Sequence, residues 1–146
     1  ENTKLIQSAR KINDDMPVYV VNKLLNKWPE VKTIGVFGVA YKADIDDTRT
    51  SPSELVIDEL NKRNYDLYIN DPYVEEYKYD LSSIDEVLEN SDAIIIMVDH
   101  KQYKTKEFLH NIVDKMKTPR LLDTKNIIDK DYGIEGFEVV KLGIKS

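Results

Sequence analysis

Six consecutive apolar residues, Ala93-Ile94-Ile95-Ile96-Met97-Val98, constrain this chain more than any other feature. A strand with one wet face alternates apolar and polar side chains, so a run without alternation must be covered on both faces. Thr33-Ile34-Gly35-Val36-Phe37-Gly38-Val39-Ala40 is a second run of the same kind. Segments of helical period lie between and beyond them, and strands that alternate with helices build a parallel sheet with helices on both sides. The expected fold is therefore α/β: a doubly wound, Rossmann-like parallel sheet of five to six strands. Both runs fall far short of the roughly 20 apolar residues that cross a bilayer, so no membrane partner is expected.

The other elements follow from period and punctuation. Ser51-Pro52-Ser53-Glu54 opens a helix, with Ser51 as N-cap, Pro52 in the first turn and Glu54 at the reciprocal capping-box position. Asp66 to Asn70 reads as a strand ended by an Asp71-Pro72-Tyr73 turn, and Ser82 to Glu89 as a short helix. Lys104 to Met116 reads as a helix with Phe108, Leu109, Ile112, Val113 and Met116 along one side. Arg120 to Asp123 and Phe137 to Val140 are the last two strands, and Tyr77 to Asp80 would supply a sixth. Upstream, residues 3 to 28 read as an amphipathic helix. Pro17 cannot donate to the carbonyl of Asn13, so this helix kinks there or a second one begins with Asp14 or Asp15 as its N-cap. A helix of this length ahead of the first strand reads as a connector over residues 1–28, followed by a domain of residues 29–146. Its apolar face should fold back on the sheet, join a second copy, or fray.

The chain has 146 residues, with 21 Lys+Arg against 27 Asp+Glu and a net charge of −6. That balance argues against a surface for the phosphate backbone, so no nucleic-acid partner is expected. The chain contains no cysteine, which excludes disulfides, zinc-thiolate sites and a thiolate nucleophile from these residues.

In doubly wound sheets ligands bind beyond the carboxyl ends of the strands, near where the winding reverses. The segment Tyr41 to Thr50 is ten residues long, where such connections usually need about 2–6. It holds Lys42 and Arg49 together with Asp44, Asp46 and Asp47. These cations either pair with the aspartates or, with a helix N-terminus behind them, face a phosphate. A dinucleotide fingerprint would set glycines at positions 38, 40 and 43, and only Gly38 is present. Asp71 stands 33 positions after Gly38, not the roughly 20 of a ribose-binding acid, and reads as a turn initiator. His100 follows Asp99 at the end of the third strand. With no third ligand at metal spacing, no metal is expected, and His100 reads as a solvated loop histidine. Lys125, in Asp123-Thr124-Lys125-Asn126, follows another strand and should reach the same rim as Lys42. Two strand-end ammoniums suit a diphosphate. A receiver-like or other nucleotide-binding regulatory module is the competing reading. Lys125 and Asp99 fit it, but Tyr41-Lys42 stand where its metal-binding acids should begin.

Several segments, in order, resemble the UDP-glucose/GDP-mannose dehydrogenase family: Ala9 to Pro17, Gly35-Val36-Phe37-Gly38-Val39-Ala40-Tyr41-Lys42, Asp46 to Pro52, Asn70-Asp71-Pro72-Tyr73-Val74 and Asp123-Thr124-Lys125-Asn126. Ile12-Asn13-Asp14-Asp15-Met16-Pro17 is most similar to the branch acting on UDP-N-acetyl-D-mannosamine. The resemblance covers nearly the whole chain but only the family's C-terminal third. It implies a cytoplasmic, homo-oligomeric parent in polysaccharide biosynthesis. That parent would oxidise the C6 alcohol of a nucleotide sugar to a carboxylate in two hydride transfers to NAD. NAD would be held mainly by an N-terminal domain, and the cysteine nucleophile by a central one. By position, Tyr41 and Lys42 would contact the UDP-sugar, Lys125 its diphosphate, and Arg49 would reach NAD across the cleft. No residue here would be catalytic, and the chain alone is expected to be an inactive piece of that enzyme.

Overall fold

The two unpatterned runs lie side by side at the centre of the sheet in the computed structural model, which describes residues 2–48, 51–128 and 137–142. They form β1 (Thr33–Phe37) and β3 (Ala93–Ile96), paired in parallel. β2 (Asp66–Asn70) lies outside β1, and β4 (Arg120–Asp123) and β5 (Glu138–Lys141) lie beyond β3. The order is β2-β1-β3-β4-β5, all parallel. The chain winds outward from β1 to β2, returns past β1 to β3, and continues the other way. The winding therefore reverses between β1 and β3. The register puts Asn70, Phe37, Ile96, Asp123 and Lys141 in one row at the carboxyl ends.

Alternate residues of these strands serve two apolar layers, which is why the runs cannot alternate in polarity. Ile34, Val36, Ile95 and Leu122 meet Val20, Val21 and Leu24 of α1 (Asn2–Lys27) and Val56, Ile57 and Leu60 of α2 (Pro52–Lys62). Phe37, Ile94, Ile96 and Leu121 meet Val87 and Leu88 of α3 (Ile84–Asn90), with Phe108, Leu109 and Ile112 of α4 (Lys106–Lys115). Each such side chain contributes about 1.5–3 kcal/mol on burial. Gly35 lets α3 come close: a Cβ there would stand 2.4 Å from Val87 Cγ1.

α1 is one helix with Pro17 inside it, so no second helix starts at Asp14 or Asp15. Its last turns fold back on the sheet. Val20, Val21 and Leu24 are fully buried, and Trp28 Nε1 donates to Glu138 Oε2 at 3.3 Å. Arg63, capping α2, donates from Nη1 to Asn22 Oδ1 at 2.9 Å. Ser51 caps α2 as expected, its Oγ accepting the Glu54 N–H. Glu54 does not reciprocate; its carboxylate pairs with Lys78 at 3.0 Å. The complete capping box belongs to Ser83 and Glu86 at the start of α3. Residues Lys101–Lys104 form a 3-10 turn, so α4 begins at Lys106 rather than at Lys104, and Thr105 Oγ1 caps α4 by accepting the Phe108 N–H at 3.0 Å.

The strand expected over Tyr77 to Asp80 is not formed; the segment is an irregular strap. Its alternation serves α2 instead of a ladder. Tyr77 and Tyr79 pack against the α1/α2 layer, while Lys78 pairs with Glu54 and Asp58, each at 3.0 Å.

Candidate functional site

Beyond the row of carboxyl ends, β1 turns sharply at Gly38. Its φ is +97° and an added Cβ would stand 2.5 Å from Val98 Cβ, so a side chain is excluded there. The next two N–H groups, of Val39 and Ala40, donate to Asp71 Oδ2 at 2.8 and 3.1 Å. Asp71 stands just past β2, and its Oδ1 accepts the N–H of Tyr73 at 2.9 Å. His100, just past β3, brings Nε2 to 2.8 Å from the same Asp71 Oδ2. Its Nδ1 accepts the N–H of Asp44 at 2.8 Å. A backbone N–H can only donate, so Nδ1 carries the lone pair and Nε2 the hydrogen, which it donates to Asp71. Both side chains are fully buried. Tyr103 packs edgewise on Phe37, and its hydroxyl reaches Asn70 Oδ1 at 2.9 Å.

Burial pushes the Asp71 carboxyl up, but hydrogen bonds from His100, Val39 and Tyr73 outweigh it and hold its pKa below the usual range. Asp44 is also lowered, chiefly by the Lys101 N–H, with the Tyr73 hydroxyl adding to it. Burial, with the Asp71 charge nearby, pushes the Tyr103 phenol well up, so it stays a neutral donor.

Tyr41 and Lys42 are exposed between these anchors, Tyr41 at 53%. Lys125 is exposed after β4, on a turn held by a second buried aspartate. Asp123 Oδ1 accepts the N–H of Lys125 at 3.0 Å, and its Oδ2 that of Ile128 at 2.9 Å. Lys141, at the end of β5, donates to Asn126 Oδ1 at 2.8 Å and stiffens the same turn. Tyr41, Lys42 and Lys125 therefore share one edge of the sheet, on loops whose strands are two spacings apart, about 10 Å. Among the described residues the ion pairs found include neither the Lys42 nor the Lys125 ammonium. Arg49 lies outside the described residues.

One expectation needs correction, and another is borne out but incomplete. His100 is no solvated loop histidine, because β3 ends next to β1 and buries the ring under the first loop. Asp71 does initiate its turn, yet its other oxygen ties β2 to the loop after β1. The signal for both was an Asp-Pro and an Asp-His at the ends of the two strands that flank β1. Such an edge can hold an anion on rigid loops. Among the described residues no three or more His, Asp or Glu side chains could hold a metal, and no helix is long and apolar enough to cross a membrane.

Residues 35–130 match the model of the UDP-glucose/GDP-mannose dehydrogenase family, UDP binding domain. The chain is similar to the UDP-N-acetyl-D-mannosamine dehydrogenase of Methanocaldococcus jannaschii, 40% identical over 98% of this chain and 34% of that protein. It is also similar to the solved UDP-N-acetyl-mannosamine dehydrogenase of S. aureus, with a TM-score of 0.80, 29% identity, and coverage of 97% of this chain and 33% of that one. The corresponding Pyrococcus horikoshii structure aligns with a TM-score of 0.78 and 33% identity, over 95% of this chain and 33% of that one. The chain thus spans about a third of the length of the relatives it matches.

Proposed function

The chain belongs to the UDP-glucose/GDP-mannose dehydrogenase family and carries its UDP-binding domain, and from that premise we propose that its carboxyl-end rim binds a UDP-sugar. Lys42 and Lys125 meet the diphosphate from two sides, and Tyr41 lies against the nucleotide sugar. Arg49 is assigned by its position in the sequence to NAD, which is held mainly by a domain outside these residues. The parent enzyme oxidises UDP-N-acetyl-D-mannosamine to the uronate, with NAD as hydride acceptor and a cysteine supplied by its central domain. Residues 1–28 connect that central domain to a binding domain of residues 29–146. The parent is a cytoplasmic homo-oligomer, and these residues alone bind without catalysing. A receiver-like module is not favoured, since the similar proteins are dehydrogenases.

One observation carries this reading: two exposed ammoniums on one sheet edge, without an ion pair among the described residues, each on a loop tied to a buried aspartate. Charge-assisted hydrogen bonds to phosphate oxygens discriminate such an edge from a merely solvated one. Calorimetric titration of this chain with UDP should give weak, saturable binding. Lys42→Ala and Lys125→Ala should each weaken it roughly tenfold without moving the melting temperature. Unchanged affinity in both variants would sink the assignment.

A further inference from the structure

We propose that His100 and Asp71 are positioning residues for nucleotide binding, one buried pair that fixes both ends of the segment carrying Tyr41 and Lys42. This rests on the reading of the rim as the UDP site. Asp71 Oδ2 takes the N–H groups of Val39 and Ala40, immediately before Tyr41. His100 Nδ1 takes that of Asp44, two residues after Lys42. The two side chains are joined at 2.8 Å, so both anchors belong to one unit. Between Ala40 and Asp44 stand only Tyr41, Lys42 and Ala43. The downstream anchor is tied again through its side chain, since Asp44 Oδ1 accepts the Lys101 N–H at 2.9 Å and the Tyr73 hydroxyl at 3.2 Å.

A segment this short, held at both ends, has few backbone states. The ordering that Lys42 would otherwise undergo on meeting a diphosphate is completed during folding. Neither His100 nor Asp71 is exposed, so any effect on ligand must pass through the residues they hold, 39–44 and Tyr73. The position needs one side chain that accepts at one end and donates at the other. A neutral imidazole does both on a rigid ring. Lys125 provides the control, because its turn hangs on Asp123 instead.

The test is a double-mutant cycle on UDP affinity, read by calorimetry alongside melting temperature. His100→Phe keeps a planar ring, a somewhat larger one, and removes both hydrogen bonds. It should weaken UDP binding roughly tenfold in the unaltered chain and in Lys125→Ala, but less than twofold in Lys42→Ala, about as expected for a lost pair of hydrogen bonds acting through one lysine. His100→Asn can retain the bond to Asp44 and His100→Gln the one to Asp71. Each should lose less affinity than His100→Phe with the same dependence on Lys42, and they carry the cycle if His100→Phe does not fold. A merely structural role would lower the melting temperature and leave affinity unchanged, or cost the same affinity in both lysine backgrounds. Either result overturns the positioning role while the UDP site stands. If the unaltered chain takes up no UDP, site and proposal fall together.

Discussion

β1 is held at each end by an aspartate that collects two successive N–H groups on a single oxygen. At the amino end Asp92 Oδ2 accepts Lys32 and Thr33 at 2.9 and 3.0 Å. At the carboxyl end Asp71 Oδ2 accepts Val39 and Ala40 at 2.8 and 3.1 Å. The chemistry is the same, but Asp92 is exposed and Asp71 is buried. Water can replace Asp92, and nothing can replace Asp71, which therefore recruits a third donor from His100. The amino edge also holds a cleft of about 540 Å³ lined by Glu30, Lys32, Asp92 and Arg120, in which Arg120 pairs with Glu30 at 2.5 Å. Lys32 there hangs on the exposed Asp92, whereas the segments of Lys42 and Lys125 hang on the buried Asp71 and Asp123. Burial of the anchor, rather than the volume of a concavity, separates the two edges.

Asp71→Ala tests this contrast hardest. It strands the donors of Val39, Ala40, Tyr73 and His100. At about 1 kcal/mol each the loss should be roughly 3–5 kcal/mol in urea denaturation. A loss below about 1 kcal/mol would mean that water reaches these groups. Acid offers a finer test. The folded Asp71 carboxyl titrates below the ordinary aspartate value of 3.8. Its ionised form therefore contributes stability that is present above that value and lost as pH falls through the folded one. The stability gap between the unaltered chain and Asp71→Asn should accordingly narrow on acidification below about pH 4. A constant gap would assign the effect to shape alone. Asp92→Ala should move stability least, by about 1 kcal/mol or less, because solvent takes over its two donors. A cost matching that of Asp71→Ala would erase the distinction between the two ends.

Local pattern and global structure agree where one residue's environment is set by its neighbours in sequence. The run from Ala93 forms a strand buried on both faces as far as Ile96, and Ser51 before Pro52 opens a helix. The rim was legible as a set of strand ends, which put Tyr41, Lys42 and Lys125 on one edge without any side-chain geometry. Its anchoring was not legible, because His100 is buried by strand order: β3 returns to lie beside β1, and no property of residues 97–103 encodes that. Tyr77 to Asp80 misled for the complementary reason. Alternating tyrosines fit a strand, but Lys78 finds its partners on a helix 20 residues upstream. Helix α1 shows both limits at once, its period visible from the start and its docking partner Glu138 more than a hundred positions away.

The clamp at the carboxyl end also has an order in time. Asp71 lies 32 positions from Val39, whereas His100 lies 56 from Asp44. As the chain leaves the ribosome, β1 and β2 can pair and seat the upstream anchor before residue 100 has emerged. The downstream anchor must wait for β3, and non-local closures of this kind come late in folding. A half-made domain would bury part of its core while the segment carrying Lys42 still swings free at one end. If the segment carrying Lys42 holds a ligand as proposed, that grip would be complete only once the downstream anchor has closed.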